Sequence, residues 1–471
     1  MKHRIVLYNP KAEFYTMPLA LVAIASYLDP TLYEVIIIDG RLEDEPVKRL
    51  SEALRHNAVC FGTTVLTGSI IKDALLVSKL IKEKFADLPV IWGGWHASLF
   101  PEETLSESCI DVVVRGQGEM AFAELVERLL AKESLAGLKG VSFKENGKIV
   151  ANPERTMMDI NKFPAFNYDL IPVKDYVKLS GRKQLDYISS QGCRFRCTFC
   201  ADPFVYNRGW YGYSPERVGD EIEALWNKYQ FEHIHFQDET YFTNKKRVAG
   251  IAQEFIDRKL PISWFATMRA DQGFRLEDDV WELCKKSGLE KVMIGVEAGS
   301  QEMLDWMKKD IKIEQVFACA EKCLKYDIAI NFSAIVGFPD ETDASINETI
   351  RIAKELRKMS SKFQVAVFYF KPYPGNEIAD LLTSRGFEFP VGLSGWANFD
   401  YVGSVESDWI SNQKIKEIEG FKFYQQLGYS EPTFLKAIPQ KMARWRVENS
   451  FYAFQFEKKI IRWLKPQKEL S

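Results

Sequence analysis

The sequence has no stretch of about 20 uninterrupted apolar residues, so a membrane-spanning helix is not expected. Its start, MKHRIVLYNP, does not read as a secretory leader, because a short strand-like run gives way at once to polar residues. Charge excess is missing too: 62 Lys and Arg against 65 Asp and Glu leave a net charge of −3. Nothing in that balance argues for nucleic acid as a partner. Without a leader, 8 cysteines in 471 residues are expected as reduced thiols, not as a disulfide framework. These absences together predict a cytoplasmic protein. The length exceeds one ordinary domain, and two or three are expected.

The most telling residues are three cysteines. Cys193, Cys197 and Cys200 form a CxxxCxxC array just after a strand-like run, Leu185 to Ser189. Thiolates are the usual ligands of iron-sulfur clusters, and a cubane needs four. Three local cysteines leave one iron open, and an open position separates catalytic metal centres from closed structural ones. The alternative is a zinc site with a distant fourth ligand, against which stands the lack of a second CxxC pair. Cys60, Cys109 and Cys284, and the pair Cys319 and Cys323 four apart on one helix face, read as small core residues.

Ahead of that loop, strand and helix alternate. Arg4 to Tyr8, Glu34 to Ile38, Ala58 to Gly62, Val90 to Gly93 and Asp111 to Arg115 predict strands, with amphipathic segments between them. Strict alternation predicts a doubly wound parallel sheet covered on both faces. Such sheets bind ligands at the carboxyl ends of their strands. The residues there include Thr64, Gly93, Gly94, His96, Gly116, Gly118 and Glu119. Glycine-bearing turns permit close approach of a large flat or phosphate-bearing ligand, or simply make tight turns. No GxGxxG follows the first strand, which disfavours a dinucleotide. Residues 133–184 break the rhythm: a hairpin with an Asn146-Gly147 turn precedes an extended crossing.

After the cysteines the alternation returns, giving six β/α units and a partial barrel. Its strands end in Asp238-Glu239, Arg269 and Asp271, Glu297, Gly337-Phe338-Pro339 and Lys371 to Gly375. Active sites of such barrels gather at those ends. Beyond Pro390 the rhythm stops, and scattered aromatics, Trp396, Phe399, Tyr401 and Trp409, suggest a cap over the barrel. From Lys441 to Lys468, Trp445, Phe451, Phe454, Ile461 and Trp463 interleave with Arg444, Arg446, Lys458, Lys459 and Arg462. That pattern marks either a membrane-surface helix or one packing its aromatic stripe on the protein.

The cysteine loop with Phe199, and FQDETYF, FATMRAD, IGVEAGS and GFPDET, resemble the successive motifs of the radical S-adenosylmethionine enzymes. MPLALVAIASYLDP, WGGWHASLFPEE and VRGQGEMAFAEL are similar to the cobalamin-binding domain fused ahead of that core in the cobalamin-dependent members. The resemblance covers roughly residues 1–385. It implies a Rossmann-like cobalamin domain (1–132), a linker with a hairpin (133–184), a partial (β/α)6 barrel (185–388) and a mainly helical extension (389–471). It also implies a four-iron four-sulfur cluster on Cys193, Cys197 and Cys200, with adenosylmethionine on the fourth iron. Phe199 would lie beside adenosylmethionine, Asp238 or Glu239 would take its ammonium, Arg269 its carboxylate and Glu297 its ribose. Thr64, Gly93, Gly94, His96, Gly116, Gly118 and Glu119 would face cobalamin. His96, alternatively, is a structural hydrogen-bonding residue. The DxHxxG loop that supplies an axial imidazole elsewhere is missing after the first strand, so cobalamin without a histidine from that loop is expected.

The implied activity is methyl transfer to an unactivated carbon through a deoxyadenosyl radical and methylcobalamin. Cyclisation, ring rearrangement or oxidation with the same cofactors is the alternative, and a non-catalytic iron-sulfur sensor is the reading of another class. Implied partners are a small-molecule or lipid substrate and an external reductant such as flavodoxin or ferredoxin. A peripheral contact of the tail with the inner face of the membrane is a further expectation.

Overall fold

The computed structural model describes residues 2–12, 16–399, 409–430 and 437–453. Tyr401, Phe454, Lys458, Lys459, Ile461, Arg462 and Trp463 of the sequence reading lie outside the described residues.

The N-terminal sheet contains β1 (His3–Asn9), β2 (Tyr33–Asp39), β3 (Ala58–Thr64), β4 (Val90–Gly93), β5 (Val112–Val114), β6 (Val141–Glu145) and β7 (Lys148–Ala151). Its order is β2-β1-β3-β4-β5-β6-β7. The first five are parallel, and the last two join antiparallel. The hairpin expected in the connector therefore extends this sheet. Its turn fits, since Asn146 and Gly147 both have positive φ, 50° and 76°, as a two-residue hairpin turn demands. The double winding is visible within β1. Val6 and Tyr8 pack with Leu50, Ile71 and Ile81 on one face, whereas Ile5 and Leu7 pack with Leu21, Phe122 and Leu125 on the other. Burying each such aliphatic side chain contributes about 1.5–3 kcal/mol.

In the second unit, β8 (Gln184–Tyr187) leads into a short antiparallel ladder of β9 (Ser190–Gly192) and β10 (Trp210–Gly212), which brackets the cysteine loop. Then follow β11 (His233–Phe236), β12 (Ser263–Met268), β13 (Leu289–Glu297), β14 (Ala329–Val336) and β15 (Phe363–Tyr369). The six long strands are ordered β15-β14-β13-β12-β11-β8, with β15 and β8 as the two edge strands of an open barrel. Ile234, Trp264, Val292, Ile330 and Phe363 are buried against the helices. The alternate residues face the lumen.

The described extension is helical. Helices Asn412–Gly428 and Ala437–Glu448 pack on each other beside edge strand β15. Gln425 Nε2 donates to Val365 O at 2.7 Å, and Arg357 donates to Phe363 O. These side chains occupy edge carbonyls that would otherwise be open to strand addition. The short helix Gly392–Trp396 lies against helices Ile70–Lys84 and Pro101–Ser106 of the N-terminal domain. Phe399 touches Tyr373 and Lys371 beyond β15. This stretch bridges the barrel's strand ends to the first domain, where a simple cap was the expectation.

Candidate active site between the two sheets

The cysteine loop is held from several directions. Asp238, at the end of β11, accepts from Ser189 N and Ser189 Oγ at 2.7 Å each and from Ser190 Oγ at 2.5 Å. These three bonds engage its carboxylate with the segment that launches the loop and staple that segment to β11, so of the two carboxylates expected for a ligand's ammonium, Asp238 or Glu239, the first already has protein partners. Between the last two cysteines, Thr198 N donates to Met307 O at 2.9 Å and Ile378 N to Thr198 O at 3.2 Å. Asn376 Nδ2 donates to Phe199 O at 3.2 Å. Burial pushes the Cys193 thiol up to about 11 and the Cys200 thiol well above its ordinary value, with the neighbouring cysteines adding to both. Thiols so placed ionise against bound positive charge, as metal ligands do. Among the described residues no three His, Cys, Asp or Glu side chains are arranged around a single ion.

Around this loop the structure assembles residues from β12 and β13. Arg269 donates from Nη1 to Cys197 Sγ at 3.5 Å, from Nε to Asp271 Oδ1 at 3.0 Å, and to Lys309 O. Its guanidinium stacks 3.8 Å from the Phe195 ring. Glu297 has a positive φ of 65° and accepts from Lys309 Nζ at 2.6 Å in a buried pair. Lys309 also lies 5.8 Å from the Phe199 ring. Arg269 and Glu297 both have protein partners that fix their position, and each keeps hydrogen-bonding capacity to spare: two N–H groups of the guanidinium and Oε2 of the carboxylate are not used by these bonds. Lys309 escaped the sequence reading because it follows a helix and no strand end marks it.

The cavity lies between the carboxyl ends of the two sheets, with a volume of about 350 Å³. Thr64, Gly93, Gly94, Gly116, Gly118 and Glu119 line it from the first domain, and Gln191, Tyr206 and Glu239 from the barrel. A side-chain relay crosses between them. Gln117 Nε2 donates to Gln191 Oε1, and Gln191 Nε2 to Glu119 Oε1, at 3.0 Å each. Glu239, one residue beyond Asp238, accepts from Gly192 N at 3.2 Å. Burial, then the Asp202 charge, push its carboxyl up to about 8. Burial likewise raises Glu119. The glycines test the fit of a large flat group. A Cβ on Gly93 would meet nothing nearer than Val114 O at 3.7 Å, so protein packing does not require the bare backbone there. Gly94 differs: its φ is +89°, and a Cβ would come within 2.6 Å of Thr64 Oγ1 and Val65 O. At Gly93 the wall is thus open to a flat group approaching the backbone.

Of the two readings of His96, its surroundings match the structural one: it is 0% exposed and sits outside the cavity wall. Its Nδ1 lies 3.1 Å from Thr67 Oγ1, and its ring packs 5.4 Å from Phe100 and 5.8 Å from Trp396. Burial lowers its pKa to about 4. The unfolded chain, near 6.5, binds that proton first as pH falls. The stability from neutral His96 is therefore present above pH 6.5 and lost between pH 6.5 and 4, up to about 3 kcal/mol. His96→Phe is expected to flatten the fall in thermal midpoint between pH 7 and pH 5. An unchanged slope in scanning calorimetry would refute this placement of the proton.

A parallel sheet with a glycine-lined crevice, facing an open barrel with three clustered cysteines, defines a two-cofactor radical enzyme architecture. Residues 5–126 match the B12 binding domain and residues 187–353 the Radical SAM superfamily. The chain is 34% identical over 387 residues to an uncharacterized methyltransferase, PH0819, of Pyrococcus horikoshii, covering 82% of each chain. It is 28% identical to an anaerobic magnesium-protoporphyrin IX monomethyl ester cyclase of Rubrivivax gelatinosus, over 72% of this chain and 62% of that one. Its fold is that of the cobalamin-dependent S-adenosylmethionine radical enzyme OxsB, with a TM-score of 0.76 at 17% identity, over 95% of this chain and 72% of that one. The chain belongs to the cobalamin-dependent radical S-adenosylmethionine enzymes.

Proposed function

We propose that this enzyme methylates an unactivated carbon of a small-molecule or lipid substrate, drawing electrons from an external reductant such as flavodoxin or ferredoxin. The observation that carries the reading is the single cavity into which both sets of strand ends open, with Gln191 and Glu239 on its wall within two residues of Cys193 and Asp238. When bound, the cluster and adenosylmethionine supply a carbon-centred radical and cobalamin supplies the methyl group, so the hard chemistry belongs to the cofactors. Cys193, Cys197 and Cys200 would hold the cluster. Phe199, Glu239, Arg269 and Glu297 would hold adenosylmethionine, with Asp238 and Asn376 fixing the loop behind it. Thr64, Gly93, Gly94, Gly116, Gly118 and Glu119 would bear the corrin. The Gln117–Gln191–Glu119 relay keeps the two walls in register, and the carboxyl of Glu239 lines the cavity beside it.

Anaerobic purification with cobalamin supplied, followed by iron, sulfide and corrinoid quantification, tests the cofactor set. Methyl-deuterated adenosylmethionine then tests the reaction: label in the product together with deoxyadenosine supports methyl transfer. Deoxyadenosine with an unlabelled product favours the cyclase reading, to which the relationship with the magnesium-protoporphyrin ester cyclase gives weight. Cluster without cleavage identifies a sensor.

The C-terminal helix gives the peripheral membrane reading its support. Ile438, Met442 and Trp445, at i, i+4 and i+7, are 76%, 43% and 54% exposed, while Ala443 and Val447 are buried on the opposite face. Exposed Lys441 and Arg444 flank the apolar stripe, the arrangement of an interfacial helix. Among the described residues no helix is long and apolar enough to cross a membrane. Trp445→Glu is expected to abolish flotation of the full chain with phosphatidylglycerol vesicles; equal flotation of variant and wild type rejects the contact.

A further inference from the structure

The lumen of the open barrel has a composition that the cofactor reading does not use. Strand register places Asp186, His235, Phe265 and Lys291 side by side across β8, β11, β12 and β13. Two residues further along, Thr267, Met293, Asn331 and Gln364 form the next row. Above it lie Gly295, Ser333 and Ala366. The residues between these rows are buried against helices, so the rows form the lumen wall. Met293 is 39% exposed there, with exposed Ala366 diagonally beside it. Apolar side chains standing open in a concave, central surface mark a ligand wall.

The polar groups of the lowest row are unequal. Asp186 accepts from Met17 N at 2.8 Å and from Gln184 Nε2 at 3.0 Å. His235 bonds Gln237 at 2.9 Å and stacks 4.5 Å from Phe265. Lys291 has no carboxylate partner among the described residues, and its Nζ lies 6.0 Å from the Phe265 ring. One row up, Asn331 Oδ1 is a buried acceptor with no donor. At the top, a Cβ on Gly295 would collide with Glu297 Oε1 and come within 3.0 Å of Lys309 Nζ. The Glu297–Lys309 pair therefore leans over the lumen's upper end, beside the cysteine loop.

We propose that the lumen selects its substrate as an amphipathic anion. The apolar body lies along Met293 and Ala366, and the single anionic group, carboxylate or phosphate, meets Lys291. The carbon that reacts lies at the upper end, under Glu297. Four residues separate Lys291 from Gly295, so at about 3.3 Å per residue the anion and the reacting carbon are roughly 13 Å apart. A hydrogen-bond donor between them would satisfy Asn331. This assignment rests on the barrel being the radical centre.

Decanoate and decan-1-ol, of matching length and differing in charge, are the probes, titrated calorimetrically into the anaerobically reconstituted full-length enzyme at fixed ionic strength. The wild type is expected to bind decanoate at least tenfold more tightly than decanol. Lys291→Met is expected to erase that preference while still binding decanol, which shows the lumen is intact, and Lys291→Arg to keep it. Equal binding of the two probes to wild type, or a preference that survives in Lys291→Met, overturns the proposal. The contrast is read without turnover. Failure of the wild type to cleave adenosylmethionine therefore defeats the functional reading alone, and loss of the contrast with cleavage intact defeats the lumen assignment alone.

Discussion

Replacing Cys197 by alanine is expected to abolish adenosylmethionine cleavage and to strip iron and sulfide from the protein while leaving corrinoid binding unchanged. Cys197 is the buried member of the three and the one that Arg269 reaches. Its loop is anchored by groups that the substitution does not touch: Asp238 on Ser189 and Ser190, Met307 on Thr198, and Asn376 on Phe199. The chain should therefore fold, and the loss should be one of cluster assembly. Arg269→Met makes the comparison quantitative. It removes a group behind a ligand, where the cost is roughly 10–100-fold, whereas losing a ligand leaves no cubane to measure. Iron content separates the two variants, since Arg269→Met should retain a cluster with altered redox behaviour. A Cys197→Ala protein that still yields deoxyadenosine at the wild-type rate would disprove the assignment of this loop. Corrinoid retention is the internal control, because the glycine wall belongs to the other sheet.

Much of this architecture was legible because its signals are local. The alternation of apolar runs with amphipathic stretches places every long strand of both sheets within a few residues of its observed bounds. Parallel strands covered on two faces then put the chemistry at their carboxyl ends. What stayed hidden depends on partners far apart in the chain. Asp238 and Glu239 are adjacent and equally acidic in sequence. Only the approach of Ser189 and Ser190 decides that one is tied to the protein, leaving the other on the cavity wall. His96 sits in a glycine-rich turn that looks like a cofactor loop, and it is Trp396, from the far end of the chain, that buries it. Lys309 gains its role from Glu297 and Arg269, both on other elements. The hairpin at Asn146-Gly147 was visible, but its membership of the first sheet follows from edge pairing with β5, which no local pattern encodes.

Two adjacent glycines allow the corrin wall to be tested apart from the fold. Gly93→Leu is expected to weaken corrinoid binding while leaving thermal stability of the corrinoid-free protein near wild type. Gly94→Ala is expected to do the reverse. At Gly93 an added Cβ has 3.7 Å of clearance from the nearest protein atom, so the new side chain intrudes on the cavity and not on the core. Overfilling a well-matched site costs about 1–3 kcal/mol, roughly 5- to 150-fold in dissociation constant. At Gly94, φ is +89° and the methyl group meets Thr64 Oγ1 and Val65 O at 2.6 Å, a strain of about 1–3 kcal/mol in the folded state. Corrinoid retained after gel filtration and the melting temperature of the apoprotein read the two effects independently. In Gly93→Leu the cluster and its surroundings are untouched, so deoxyadenosine should still form while methyl transfer from labelled adenosylmethionine fails. That uncoupling is what two cofactors held on separate sheets must produce. If Gly93→Leu retains corrinoid as the wild type does, the cofactor does not lie against the carboxyl end of β4, and the cavity serves another ligand.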